Sequence, residues 1–251
     1  MLSGRSGATL ARAEAAGMVD ATPAQIAEAD FILSIVPPGQ AVALAEALAP
    51  ALRAANRKPI YVDCNAINPG TVRRIDAIVR ETGAAFVDGG IIGPPPEPDS
   101  SKTRIYLSGP DAAKVASLER YGLSMPVQEG PIGAASAMKM SYAGITKGFT
   151  ALGATMMLAA TRGGTADALV AEMKVSQPAL LKWLTSQMPK MPDKAYRWVA
   201  EMEEISGFVG QGQAGDGLYQ AAARLYETIA ADLEGPQAET AALNAFCDKA
   251  K

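Results

Sequence analysis

The 251-residue sequence contains no histidine. That absence excludes Ser-His-Asp and Cys-His nucleophile pairs, a histidine general base and the usual His-rich zinc or iron sites. Proton transfer must fall to Lys, Tyr, Asp, Glu, Cys or water. Cysteine is nearly absent too. Cys64 and Cys247 lie far apart and form no CxxC, so neither a disulfide framework nor a metal site is expected, and the expected compartment is reducing and cytoplasmic. Aromatics make up only 6%, which disfavours a stacking platform for single strands, and a net charge of -3 argues against binding nucleic acid. The N-terminus lacks a basic region followed by an apolar one, so no secretory signal is read. The most apolar long stretch, Ala143 to Ala160, is interrupted by Lys147, three glycines and several threonines. It reads as a buried helix, with no membrane partner. Finally, no G-x-G-x-x-G turn follows any of the strands that the sequence predicts.

What is present is globular: 49% hydrophobic residues with 20% charged ones, in a length that suits one large or two modest domains. The pattern changes near residue 130. Before it, short apolar runs alternate with Ala-rich helical segments. Strands are expected at 30–36, 59–63, 84–88 and 104–109, and helices at 8–16, 40–56, 68–80 and from Asp111. Pro37-Pro38 stops the first of these strands, and Asn68-Pro69 opens a helix. Strands separated by helices are the βαβ signature of a parallel, doubly wound sheet. After Gly133 the strand signals stop. Helices are expected at 133–161, 166–187, 192–206, 215–233 and 236–250, giving a residue 1–130 α/β domain and a residue 131–251 all-α domain.

In open α/β sheets, ligands bind at the carboxyl ends of the strands. Three successive ends carry suggestive residues: Val36-Pro37-Pro38-Gly39, Asp63-Cys64-Asn65-Ala66, and Asp88-Gly89-Gly90 running on through Gly93 to Pro96. Each alone reads as a turn; all three together favour a shared cleft. Gly4-Arg5-Ser6-Gly7 before a helix is placed to hold an anion, although from spacing alone a solvated arginine is the simpler reading. In the later segment, Ser136, Lys139, Ala143 and Lys147 share one helical face. Unpaired buried ammonium groups are costly, so either these lysines reach solvent or one faces a cleft with an anionic partner. Arg197, Glu201, Glu203 and Glu204 read best as a solvated helix face.

These residues together resemble the β-hydroxyacid dehydrogenase superfamily, which includes 3-hydroxyisobutyrate and 6-phosphogluconate dehydrogenases. Gly133-x5-Lys139 is similar to the family motif G-x-G-x-x-x-K-x-x-x-N. Gly4-Arg5-Ser6 resembles its Asn-Arg-Ser/Thr, Asp63-Cys64-Asn65 its Asp-x-Ser-Thr, and Phe86-Val87-Asp88 with Gly93 its substrate loop. Arg197-Trp198 through Ile205 resembles the C-terminal domain of a phosphogluconate dehydrogenase-like branch. The resemblance implies a Rossmann-like parallel sheet followed by an all-α substrate and dimerisation domain. It implies an oxidoreductase moving a hydride between NADP, or NAD, and a small hydroxy acid, with Lys139 as general base and acid. By the same resemblance Arg5 and Ser6 contact the 2′-phosphate, Val36, Pro37 and Pro38 the ribose or pyrophosphate, and Asn65 the nicotinamide side. Gly93, Ser136 and Lys147 line the substrate end, no metal is used, and the chain forms a homodimer. Three positions depart from the family: Ala135 for the second glycine, Ala143 for the asparagine, and Ile92 for the loop serine. The first strand, Gly-rich turn and first helix are also missing, which suggests an N-terminally truncated chain. The alternative is a non-catalytic relative that keeps the fold as a binding or assembly module.

Overall fold

The structure is a computed structural model that describes residues 6–95 and 102–251. Arg5, and Pro96 of the proline run, lie outside the described residues. Contacts divide the chain into two compact units, Met1–Asn65 with Pro69–Ser136, and Ala66–Asn68 with Ala137–Lys251.

The first unit starts with two helices, α1 (Gly7–Ala15) and α2 (Pro23–Ala27). Ser6 caps α1, its hydroxyl accepting from Thr9 N at 3.4 Å. Helix α2 was not expected from sequence, yet it carries a reciprocal capping box: the Thr22 hydroxyl accepts from Gln25 N while Gln25 Oε1 accepts from Thr22 N. Such a cap contributes about 1 kcal/mol, enough to hold a single turn against α3.

Then follow β1 (Phe31–Ser34), α3 (Ala41–Ala54), β2 (Ile60–Asp63), α4 (Pro69–Arg80), β3 (Ala85–Ile92), β4 (Arg104–Ser108) and α5 (Ala112–Val115). The strands form one sheet in the order β1-β2-β3-β4. β1, β2 and β3 are parallel, and helices α3 and α4 supply the crossovers that parallel neighbours require. β4 departs from the expectation of a wholly parallel sheet. It pairs antiparallel with β3, from Asp88↔Ser108 to Ile92↔Arg104; the stretch from Gly93 to Thr103 is shorter than the dozen or so residues that a parallel crossover needs. Helix α4 shows why these segments settle where they do. Its Val72, Ile75 and Val79 recur at i, i+3 and i+7, and all three are buried. One sheet face packs Val62, Cys64, Val87, Ile105 and Leu107 against Val115 and Met125. On the other face the rings of Tyr61 and Phe86 stack at 6.1 Å and 14°.

The second unit is helical: α6 (Ala134–Arg162), α7 (Ala166–Ser176), α8 (Pro178–Gln187), α9 (Pro192–Val209), α10 (Ala214–Glu234) and α11 (Ala238–Ala250). The segment read as one helix over 166–187 is two, because Pro178 cannot donate its amide and Gln177 leaves the helical conformation before it (φ -140°, ψ 51°). The core joins Met140, Ala143, Ala154 and Leu158 of α6 to Met202 and Ile205 of α9, Tyr226 and Ile229 of α10, and Phe246 of α11. Small residues on α6 let neighbours come close; a Cβ on Gly153 would meet Leu184 Cδ2 at 2.5 Å. Among the described residues, no helix is long and apolar enough to cross a membrane.

Candidate functional site at the strand ends

A row of four polar residues crosses the sheet at the carboxyl end of the parallel strands. Ser34 pairs with Asp63, Asp63 with Asp88, and Asp88 with Ser108, so one register line reads Ser-Asp-Asp-Ser across β1 to β4. All four are at most 2% exposed. In every strand the row closes an apolar run: Phe-Ile-Leu before Ser34, Ile-Tyr-Val before Asp63, Ala-Phe-Val before Asp88, Ile-Tyr-Leu before Ser108. Two adjacent buried carboxylates need partners, since an unpaired buried charge is strongly destabilising.

Asp63 finds them in Asn65. Its Oδ1 accepts from Asn65 N at 3.0 Å, and its Oδ2 from Asn65 Nδ2 at 2.9 Å. Asn65 Nδ2 also donates to Ser34 Oγ at 2.9 Å, and Asn65 Oδ1 accepts from Val36 N at 2.6 Å. The Asn65 amide therefore ties the ends of β1 and β2 together, with its hydrogen-bonding groups turned inward. What it holds in place is the next turn. Ile35 stands 61% exposed on it, Pro37 is also exposed, and Val36 and Pro38 are partly so. A 3-10 turn over Pro38–Gln40 leads into α3, whose N-terminus has no side-chain cap. An exposed apolar turn ahead of the positive end of a helix dipole has the chemistry to take a flat ring system next to an anionic group.

Asp88 is partnered by the start of α6. Its Oδ1 accepts from Ser136 Oγ at 2.5 Å, and its Oδ2 from Ser136 N at 3.0 Å and Ser108 Oγ at 2.9 Å. Ser108 Oγ in turn accepts from Ala135 N at 3.0 Å. A carboxylate and a hydroxyl thus occupy amides at the N-terminus of a 29-residue helix, where the helix dipole favours negative charge. Next to Asp88, Gly89 is required by close approach, because a Cβ there would lie 2.9 Å from Cys64 Sγ and 3.0 Å from Asp63 O. Gly93, at φ +132°, faces Lys102 O, which a Cβ would meet at 2.5 Å.

In the second unit, Lys139 lies partly buried on α6, one turn beyond Ser136. Lys147, two turns further on, forms an ion pair with Glu201 of α9, the two side chains being 19% and 16% exposed. The Lys147 ammonium sits 5.2 Å from the centre of the Trp198 ring, and Trp198 meets Tyr226 edge-on at 5.1 Å. The Tyr226 hydroxyl donates to Lys147 O at 2.6 Å, and burial pushes that phenol far up, with the Glu201 charge adding to it. Glu204 accepts from both Asn68 N (2.7 Å) and Asn68 Nδ2 (2.6 Å). The reading of Arg197, Glu201, Glu203 and Glu204 as one solvated face is thereby corrected. Glu201 and Glu204 turn inward to partners, while Arg197 and Glu203 stay exposed.

Of the residues singled out from sequence, Val36, Pro37, Pro38 and Asn65 come together at the ends of β1 and β2. Ser136 joins Asp88, and Lys147 joins Glu201. Ser6 is a helix cap and Gly93 ends β3. The reading missed Ser34, Ser108 and Glu201 as site-building groups. The first two were signalled by the polar residue that closes each apolar run.

A mostly parallel sheet with its polar residues at the strand ends, followed by a helical unit opening on one long helix, is the arrangement of the 3-hydroxyacid dehydrogenases. Residues 4–121 match the family described as the NAD binding domain of 6-phosphogluconate dehydrogenase, and residues 160–229 match DUF1932, a domain of unknown function. Among solved structures, the chain is similar to the conserved protein MTH1747, itself described as structurally similar to 3-hydroxyacid dehydrogenases. Identity is 29%, the TM-score is 0.65, and 91% of this chain and 85% of that one are covered. It shares its fold with a conserved hypothetical protein from Sinorhizobium meliloti 1021 (23% identity, TM-score 0.69, 97% and 84% covered). It also shares it with the 3-hydroxyisobutyrate dehydrogenase of Mycobacterium tuberculosis (20%, TM-score 0.62, 90% and 84%). A curated relative, an uncharacterized 28.5 kDa protein of Methanothermus fervidus, is 30% identical over 145 residues; the match takes in 58% of this chain and 53% of that protein, about half of its length.

Proposed function

We propose that the chain is a nicotinamide-dependent oxidoreductase of the hydroxyacid dehydrogenase type, acting on a small hydroxy acid. The observation that carries this reading is the match of residues 4–121 to an NAD binding domain, on a sheet whose carboxyl ends present the exposed turn held by Asn65. That turn fits the cofactor: Ile35, Val36, Pro37 and Pro38 offer an apolar face, and the start of α3 offers the positive end of its dipole to an anion. Arg5 and Ser6 are assigned to the 2′-phosphate, so NADP is the preferred form. When bound, the nicotinamide ring would accept the carbinol hydride. Lys139 takes the hydroxyl proton, and returns one where the β-keto acid product loses carbon dioxide. Asp88 holds Ser136 and so fixes the helix turn from which Lys139 projects. Lys147, held between Glu201 and Trp198, is assigned to the carboxylate end of the substrate with Gly93 and Ser136. Lys139→Met tests this. NADP⁺-dependent oxidation of a panel of short 3-hydroxy acids should fall by about 10²-fold or more, as for loss of a general base, with NADPH affinity within about twofold. Unchanged kcat removes Lys139 from the reaction.

The second reading, a binding module without turnover, is favoured by one observation: Ala143 stands in the core where the family motif has a polar asparagine. It predicts NADPH binding with no turnover of any hydroxy acid.

We also place a homodimer contact on α6. Tyr142, Ile145, Phe149, Leu152 and Met156 are each about half exposed or more, at alternating spacings of three and four. This is the seam that a second helix of the same pitch covers. The stripe is nearly symmetric about Phe149, so an antiparallel second copy presents the same side chains in return. Apolar hollows flank it at Leu180 and Trp183 and at Ala168 and Leu169, where partner side chains have room to insert.

A further inference from the structure

The second unit contains a cavity that none of the assigned residues lines. It has a volume of about 760 Å³, lies among α7, α8 and α11, and is walled by Pro178 and Pro189. Its floor is apolar, with Leu181 and Cys247 both buried. Its rim is cationic. Lys174 Nζ donates to a backbone carbonyl, Lys249 O at 3.1 Å, so its charge is not neutralised by that bond. Among the described residues Lys182 has no ion-pair partner, and the aspartate at the rim, Asp248, is paired with Lys251. The hydroxyls of Thr185 and Ser186 donate to Leu181 O (2.9 Å) and Trp183 O (2.7 Å).

An apolar floor under two uncompensated ammonium groups is complementary to one kind of small molecule, an organic anion with an apolar body. We infer that this cavity binds such an anion, its acidic head between Lys174 and Lys182 and its apolar part over Leu181 and Cys247. The volume suits a ligand of drug size, within the range of about 300–1,000 Å³ usual for small-molecule pockets. Two lysines lining one cavity favour a doubly charged head, and the floor gives no partner to a purely polar anion, so inorganic phosphate alone should bind poorly.

Calorimetric titration of the full chain tests the site, with phenyl phosphate, decanoate and inorganic phosphate as probes. Phenyl phosphate or decanoate should bind at least tenfold more tightly than inorganic phosphate. Lys174→Glu/Lys182→Glu should lose that binding by tenfold or more while the melting temperature changes little, since both lysines are exposed. Ala250→Trp, which fills the cavity without changing charge, should lose it as well. Preference for phenyl phosphate assigns the head to a phosphate ester, and preference for decanoate assigns it to an acyl carboxylate. No heat from either organic anion at millimolar concentration, or equal binding by the double variant, overturns the proposal. Because Lys139 is untouched, failure here leaves the oxidoreductase reading as it stands.

Discussion

Two tyrosines show how differently one side chain is used within this molecule. The Tyr61 hydroxyl is buried with no hydrogen-bond partner among the described residues. Burial pushes the Tyr61 phenol up to about 12; the Ser34 hydroxyl offsets part of that effect and the Asp63 charge adds to it. Tyr226, buried as deeply, donates to Lys147 O at 2.6 Å. Replacement by phenylalanine should therefore act in opposite senses. Tyr61→Phe removes an unsatisfied hydroxyl and should be neutral or stabilising, while Tyr226→Phe removes a formed hydrogen bond to a carbonyl of α6 and should cost about 1 kcal/mol in urea unfolding. Equal losses for both would contradict this accounting. Asp232 gives a pH-dependent case. Burial alone would raise its carboxyl, but hydrogen bonds from Thr240 N, Thr240 Oγ1 and Glu239 N hold it below the ordinary value. A depressed folded-state value contributes stability above the unfolded-state value and loses it as pH falls through the folded one. The melting-temperature gap between wild type and Asp232→Asn should be widest near neutrality and close below about pH 4. A gap independent of pH would contradict it.

Among the elements, α6 carries the most. Asp88 and Ser108 anchor its first turn, Lys139 and Lys147 project from it, its small residues pack inward, and its exposed stripe, Tyr142 to Met156, spans about two heptads. Phe149→Glu places a charge at the centre of the stripe and should convert a dimer to monomer in sedimentation equilibrium, with helix content unchanged. A wild-type monomer would remove the contact from the account. The existence of α6 was legible from sequence, because an Ala- and Gly-rich apolar run bounded by Gly133 and Gly163 has few alternatives. Its end contacts were not. Asp88 and Ser136 are 48 positions apart, and only the sheet register brings them together. The same distinction holds elsewhere. Strand cores followed from apolar runs, whereas nothing in the apolar run of β4 signals its antiparallel direction. Lys147 was legible as a lysine needing an anion, but Glu201 as that anion required knowing which face of α9 meets α6. The Pro178 break was visible in the sequence and underweighted. Helix α2 was missed because a five-residue helix gives too short a window for periodicity, although its Thr-x-x-Gln cap was there to be read.

At the scale of the whole molecule, the starting absence of histidine takes on a definite meaning. The two units have separate cores, one built on a sheet whose ends are polar and one on helices whose exposed faces are apolar. Neither holds a metal-binding cluster of His, Cys, Asp and Glu among the described residues. Proton transfer in the proposed reaction is carried by a lysine on the helix that begins at the end of β3. The account depends first on the cofactor. Fluorescence titration of NADPH, by energy transfer from Trp198 and Trp183, tests it most directly. The account predicts saturable binding with a dissociation constant of about 1–100 μM, typical of a working dinucleotide site, and at least tenfold weakening in Asn65→Ala as the turn at Val36 is released. No saturation with NADPH or NADH up to millimolar concentration would contradict it.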